Sequence, residues 1–173
     1  MNARKTRAAP RATKTKARVA IVRARWNEDV TLALERGAIE RATATGAATD
    51  LFEVAGSFEL PGAVALLCDS GRYDAVVPIG CLIRGETLHF ELLAHAVARA
   101  LADLSTSYPV AIPFGVLACD TIAQAMARSG GDEGNAGAEA MAAALELVAL
   151  RQALSSERRS ARPRSRASSR STR

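Results

Sequence analysis

The chain has 173 residues, 49% of them hydrophobic and 24% charged, and a formal net charge of +5. That length suits one domain with an ample apolar core, and no apolar run approaches the roughly 20 residues that a membrane-spanning helix needs. Three widely spaced cysteines in apolar context (Cys68, Cys81, Cys119) exclude a disulfide scaffold and point to reduced thiols in a reducing, cytoplasmic compartment.

Residues 1–18 carry seven Lys/Arg and no acidic residue, with almost nothing apolar larger than Ala. Such a segment cannot bury enough surface to offset its ordering entropy, so it is read as a disordered basic tail. It has neither the apolar core of a secretory signal nor the amphipathic Leu/Phe face of a transit peptide. Residues 158–173 form an Arg/Ser/Pro low-complexity segment with seven more arginines. Between the tails, residues 19–156 hold nine Lys/Arg against seventeen Asp/Glu, a net charge of −8. The expected organisation is a disordered tail over 1–18, an acidic α/β domain over 19–156 and a disordered Arg/Ser-rich tail over 157–173.

Within the domain, VAIVRA at 19–24 reads as a short buried strand, followed by a helix over 28–44 closed by Gly46. DLFEVA at 50–55 is the second strand. Pro61 then sits in the first turn of a helix that Ser70-Gly71 closes. The apolar run from Ala75 through Ile79 has the composition of a strand buried on both faces; it breaks at Arg84-Gly85-Glu86-Thr87, and apolar residues return at helical spacing (Leu88, Leu92, Leu93, Val97). VAIPFGVL at 110–117 is expected as the fourth strand, with Phe114 near its end. Asp120-Thr121 caps a short helix ending near Arg128, residues 130–134 read as a glycine hinge, and a long Ala/Leu/Glu helix covers 136–154. Strands alternating with helices predict a three-layer α/β/α sandwich on a four-stranded parallel sheet of flavodoxin-like order.

Parallel strands all end on one side of the sheet, and ligands sit in the crevice beyond their carboxyl ends. Five segments are expected there: Trp26-Asn27; Gly56 to Glu59; Cys81 to Thr87 with His89; Phe114; and Arg128. Trp26 and Phe114 offer flat apolar surface to a planar ring, Glu59 can accept hydrogen bonds from hydroxyls, and the helix start at Thr87 together with Arg128 suits a phosphate. His89, in the first helical turn, is disfavoured as a cation by the helix dipole and so can shuttle protons. Each residue also has a plainer reading: Trp26 and Phe58 as core aromatics, His89 as a surface histidine, and Arg128 as a favourable charge at a helix end. His95 lies too far along its helix to share the loop. GxGxxG and GxxxxGK[ST] are both missing, no lysine follows Lys16, and two histidines without CxxC or HExxH predict no protein-bound metal.

Six motifs taken together carry a resemblance. Arg25-Trp26-Asn27, GSFELP at 56–61, IRGETLHFE at 83–91, FGVLACDT at 114–121, QAMARSG at 124–130 and GNAGAEA at 134–140 resemble lumazine synthases in order and spacing, over roughly residues 19–154. The resemblance implies a transferase of riboflavin biosynthesis, acting without cofactor. It would condense 5-amino-6-(D-ribitylamino)uracil with 3,4-dihydroxy-2-butanone 4-phosphate to give 6,7-dimethyl-8-ribityllumazine. By the same resemblance Trp26 stacks on the pyrimidine, Ser57, Phe58 and Glu59 hold ring and ribityl groups, and Cys81, Leu82 and Ile83 line the pocket. Glu86, Thr87 and Arg128 receive the phosphate, and His89 moves protons. It further implies a homopentamer or an assembly of pentamers, with Phe114 and Arg128 facing a neighbour's Trp26 and His89. Two departures stand out: Trp26 replaces the usual Phe, and Ala136 replaces the lysine of the family's GNKG motif, removing a cation near the substrate. The alternative reading is a weakly active or inactive shell-forming scaffold whose basic tails bind polyanions.

Overall fold

The four strands pair in parallel because each apolar run is flanked by a helix that returns the chain to the same edge. The computed structural model describes residues 17–160, with side chains placed through residue 156. The sheet has the order β2-β1-β3-β4, formed by β1 (Arg18–Ala24), β2 (Ala48–Val54), β3 (Ala75–Ile83) and β4 (Gly115–Cys119). This is the expected flavodoxin-like order. Of the tails expected to be disordered over 1–18 and 157–173, residues 1–16 and 161–173 lie outside the described residues, whereas Arg18 opens β1 and residues 157–160 are helical.

The alternation of side chains along the strands divides the core into two layers. One face of the sheet buries Val19, Ile21, Ala75, Val77 and Ile79 against α1 (Glu28–Thr45) and α5 (Ala136–Ser160). The other buries Ala20, Val22, Ala24 and Val76 against α2 (Leu60–Asp69) and α3 (His89–Ser107). Gly46 ends α1 as expected, in the left-handed region at φ 78° with its N–H on the carbonyls of Ala42 and Thr43. Thr121 caps α4 (Ile122–Ala127) through a reciprocal capping box with Gln124, and Arg128 closes that helix. No helix among the described residues is long and apolar enough to cross a membrane.

Three expectations need correction. The fourth strand starts at Gly115 rather than at residue 110. Pro109 and Pro113 have no N–H to donate, and before Gly115 only Ala111 bridges to Ala75. Phe114 therefore stands at the amino end of β4, not its carboxyl end. The glycine-rich stretch over 130–134 is no open hinge: it is an antiparallel hairpin of β5 (Ser129–Gly131) and β6 (Gly134–Asn135). Helix α5 continues to Ser160, six residues past Leu154, since Ser, Glu and Arg do not stop a helix as Pro or Gly would.

Candidate functional site

Strand β1 ends at Ala24, and the chain turns there over the sheet edge. Trp26 donates its backbone N–H to the Ala55 carbonyl at 3.2 Å, which ties this turn to the end of β2. Its indole is 74% exposed, so Trp26 is a surface platform and not a core aromatic. Asn27 adopts a left-handed conformation (φ 56°), one that Asn tolerates better than most residues, and its Nδ2 donates to the Cys81 carbonyl at 2.8 Å. That bond spans from the start of α1 to the end of β3 and holds the Trp26 turn against the edge.

After β2, Ser57–Glu59 form a single 3-10 turn. Glu59 reaches back so that its Oε2 accepts the Gly56 N–H at 2.8 Å, and its second oxygen stays available on an exposed side chain. Phe58 is 61% exposed beside it. Ser57 is buried, and its hydroxyl has no hydrogen-bond partner. An unpaired buried hydroxyl costs about 1–3 kcal/mol, which a ligand's donor or acceptor would recover. Gly80 on β3 makes room for this turn: a Cβ there would lie 2.6 Å from the Ser57 Oγ.

The β3–α3 loop carries the remaining candidates. Cys81 is buried, and burial pushes its thiol up to about 12, with Cys119 adding to the effect, so it is a neutral wall and not a nucleophile. Leu82 and Ile83 are half-buried, while Glu86, Thr87 and His89 are exposed. Leu88 occupies the cap position of α3, and Thr87, one residue earlier than a cap, accepts the His89 N–H on Oγ1 at 3.4 Å. His89 is the first helical residue, at the positive end of α3, as its motif predicts.

Arg84, at the head of this loop, reads in the sequence only as the start of the break after the third strand, with no role of its own. Its backbone N–H donates to the Cys119 carbonyl at 2.9 Å, its Nε to Asp120 at 2.6 Å and its Nη1 to Glu91, and the guanidinium lies 4.6 Å from the centre of the Phe90 ring. Hydrogen bonding from its own backbone N–H, with Arg84 beside it, outweighs burial and holds the Glu91 carboxyl below the ordinary glutamate range.

Arg128 is exposed and pairs with Glu139 at 3.4 Å. The N–H of Ala136 donates to the Arg128 carbonyl at 2.9 Å. Position 136, where the motif usually has lysine, is thus next to the arginine. Asn135 precedes it, a residue the sequence shows only as part of the GNAGAEA motif, with no role of its own. Its Nδ2 donates to the carbonyls of Ala33 and Ser129, and its Oδ1 accepts the Ala138 N–H, which fixes the start of α5. Trp26, the Ser57 turn and the His89 loop therefore come together on one edge. Phe114, 54% exposed, stands apart, level with Pro78, about one strand's length below the His89 loop. A groove of about 870 Å³ lies at the opposite end of the sheet, lined by Asp74, Tyr108, Leu147 and Arg151 among others, and includes none of these candidates. Among the described residues no group of three His, Cys, Asp or Glu is placed to hold a metal ion.

Comparison with known proteins covers nearly the whole described chain. The family model described as 6,7-dimethyl-8-ribityllumazine synthase matches residues 16–152. A protein of that name from Gemmatimonas aurantiaca is 43% identical over 136 residues, 77% of this chain and 83% of the relative. Proteins of the same name from Methylorubrum populi and Nitrobacter winogradskyi are 42% and 41% identical over 145 and 143 residues, covering 81% and 80% of this chain and 86% and 88% of theirs. With the matched motifs gathered at the carboxyl edge of a flavodoxin-like sheet, the chain belongs to the 6,7-dimethyl-8-ribityllumazine synthase family.

Proposed function

We propose that this chain is a transferase that condenses 5-amino-6-(D-ribitylamino)uracil with 3,4-dihydroxy-2-butanone 4-phosphate, the penultimate step of riboflavin biosynthesis. The observation that carries this reading is the family match across residues 16–152. The substrate's own amine attacks the ketone, and phosphate and water leave. The protein then has only to hold two molecules together, bind a departing phosphate and move protons. A chain with no lysine after Lys16 can do this, because no Schiff-base lysine is required.

In this reading the exposed Trp26 indole stacks on the pyrimidine. The orphaned Ser57 hydroxyl and the free oxygen of Glu59 take polar groups of ring and ribityl chain, while the Cys81, Leu82 and Ile83 segment forms the wall. Glu86, Thr87 and Arg128 hold the phosphate, and His89, at a helix start that disfavours a permanent cation, transfers protons. Trp26, Phe58, Leu88 and Phe114 are all more than half exposed on one chain, and this supports a homo-oligomer in which a neighbour's Phe114 and Arg128 cover the Trp26 shelf. The assembly we assign is a pentamer or an assembly of pentamers, in the cytoplasm, with weak salt-sensitive polyanion binding by the basic tails. The scaffold alternative draws only on Ala136 and those tails. Glu59, Thr87, His89 and Arg128 are all present, which favours the enzyme.

The test is to mix purified protein with both substrates and follow lumazine formation by absorbance and fluorescence, subtracting the uncatalysed condensation. Turnover well above that background supports the enzyme. Folded, oligomeric protein without turnover would leave the scaffold as the reading to pursue.

A further inference from the structure

We propose that Arg84 is a positioning residue that staples shut the loop receiving the substrate phosphate, an inference that rests on the phosphate reading of that loop. The observation is one of connectivity. Arg84 stands immediately before Gly85, Glu86, Thr87, Leu88 and His89, and its guanidinium holds the two residues immediately after them: it bonds the Glu91 carboxylate and lies over the Phe90 ring at 4.6 Å. Both ends of a five-residue loop are therefore fixed by one side chain. Through Nε it also grips Asp120 at 2.6 Å, and through its backbone N–H the Cys119 carbonyl at 2.9 Å. These two residues lead into Thr121, the cap of α4, whose far end is Arg128. Arg84 thus sets the Thr87 hydroxyl and the His89 ring at one end and α4, which carries Arg128, at the other.

A guanidinium suits this role because its planar fork can meet two carboxylates in different directions while its face lies on an aromatic ring; an ammonium offers one point charge. The glycine that follows lacks a side chain to brace the loop, and among the described residues no other side-chain hydrogen bond or ion pair joins its two ends. Neither of the arginine's carboxylates is assigned to substrate, and the guanidinium is already committed to Asp120 and Glu91, so Arg84 acts on the phosphate through the loop and not by contact. Loss of the staple leaves the loop's residues in place but lets them wander, and misplacement by an ångström is enough to lose a large factor in rate.

The prediction is a split between the two substrates. Arg84→Met raises KM for the phosphate-bearing ketone about tenfold and lowers kcat several-fold, with KM for the pyrimidine amine unchanged within about twofold; Arg84→Lys, which keeps the charge but not the fork, falls between wild type and Arg84→Met. Asp120→Asn and Glu91→Gln, each removing one anchor, move the same KM in the same direction and serve if Arg84→Met fails to fold. Arg99→Met, which breaks the exposed Arg99–Asp103 pair further along α3, is the control and moves neither KM. Equal shifts in both KM values, or none, in Arg84→Met or in both anchor variants would overturn the staple. Thr87→Ala separates the two ideas: if it raises KM for the ketone phosphate while Arg84→Met does not, only the staple fails, and if it has no effect the phosphate reading of the loop fails with it.

Discussion

His89 and Arg128 are exposed side chains on helix ends, and neither is needed for the core. Removing either should therefore change catalysis without unfolding the protein. His89→Ala is expected to slow turnover by about two to four orders of magnitude with an unchanged circular-dichroism spectrum. A loss of less than threefold would remove His89 from proton transfer. The Arg128–Glu139 pair is nearly half exposed on the arginine side and more on the glutamate, and such pairs add little stability. Arg128→Ala should accordingly leave the denaturation midpoint near that of wild type while raising KM for the ketone phosphate. Unchanged dependence on that substrate would show that Arg128 does not hold the phosphate. Ser57 is the contrasting buried case, since its hydroxyl has no hydrogen-bond partner in the protein.

The β5–β6 hairpin and the start of α5 form one unit through Asn135. This side chain bonds to a carbonyl on α1, a carbonyl on β5 and an N–H of α5, so a single amide satisfies backbone groups from three elements. Position 37 on α1 must be glycine for the same reason, since a Cβ there would run into the Asn135 amide. Asn135→Ala should cost about 2–4 kcal/mol, because two carbonyls and a helix cap lose their partner together. Urea unfolding with an unchanged slope measures this, and a cost below about 0.5 kcal/mol would show that the hairpin holds without it. Since Ala136 follows directly and bonds to the Arg128 carbonyl, the same variant should also weaken ketone-phosphate binding.

The molecule has two ends with different business. The candidate residues other than Phe114 gather at or near the carboxyl edge of the sheet. The first described residues are at the other edge: the Ala17 carbonyl accepts from Ala48, and Arg18 donates to Asp74. Helix α5 runs to that same edge, where Leu147, Arg151 and Leu154 share a groove with Asp74. The described residues that border the two basic segments, Ala17–Arg18 and the end of α5, thus lie at the end of the sheet opposite to the candidate residues. Deleting residues 161–173 is expected to weaken binding to a random-sequence oligonucleotide at low salt, to flatten its salt dependence and to leave kcat and both KM values unchanged. Equal binding by truncated and full-length chains would dismiss the tail's role.

The sheet and its helices were legible because their signals are local. Val76 and Val77, or Leu34 and Ala38, declare a strand or a helix through the period of their neighbours alone, and Gly46 and Thr121 mark helix ends by their own chemistry. Motif order likewise carried the family. The fourth strand was misread because hydrophobicity over residues 110–117 does not show which N–H groups find a carbonyl, and the hairpin was misread because glycines look alike in hinges and turns. The bonds made by Asn27, Arg84 and Asn135 were not legible for one reason: their partners lie 54, 36 and 102 positions away in the chain. A polar side chain in a loop is ordinary until folding sets a particular carbonyl or carboxylate against it, and that juxtaposition is a property of the closed sheet and not of any stretch of sequence.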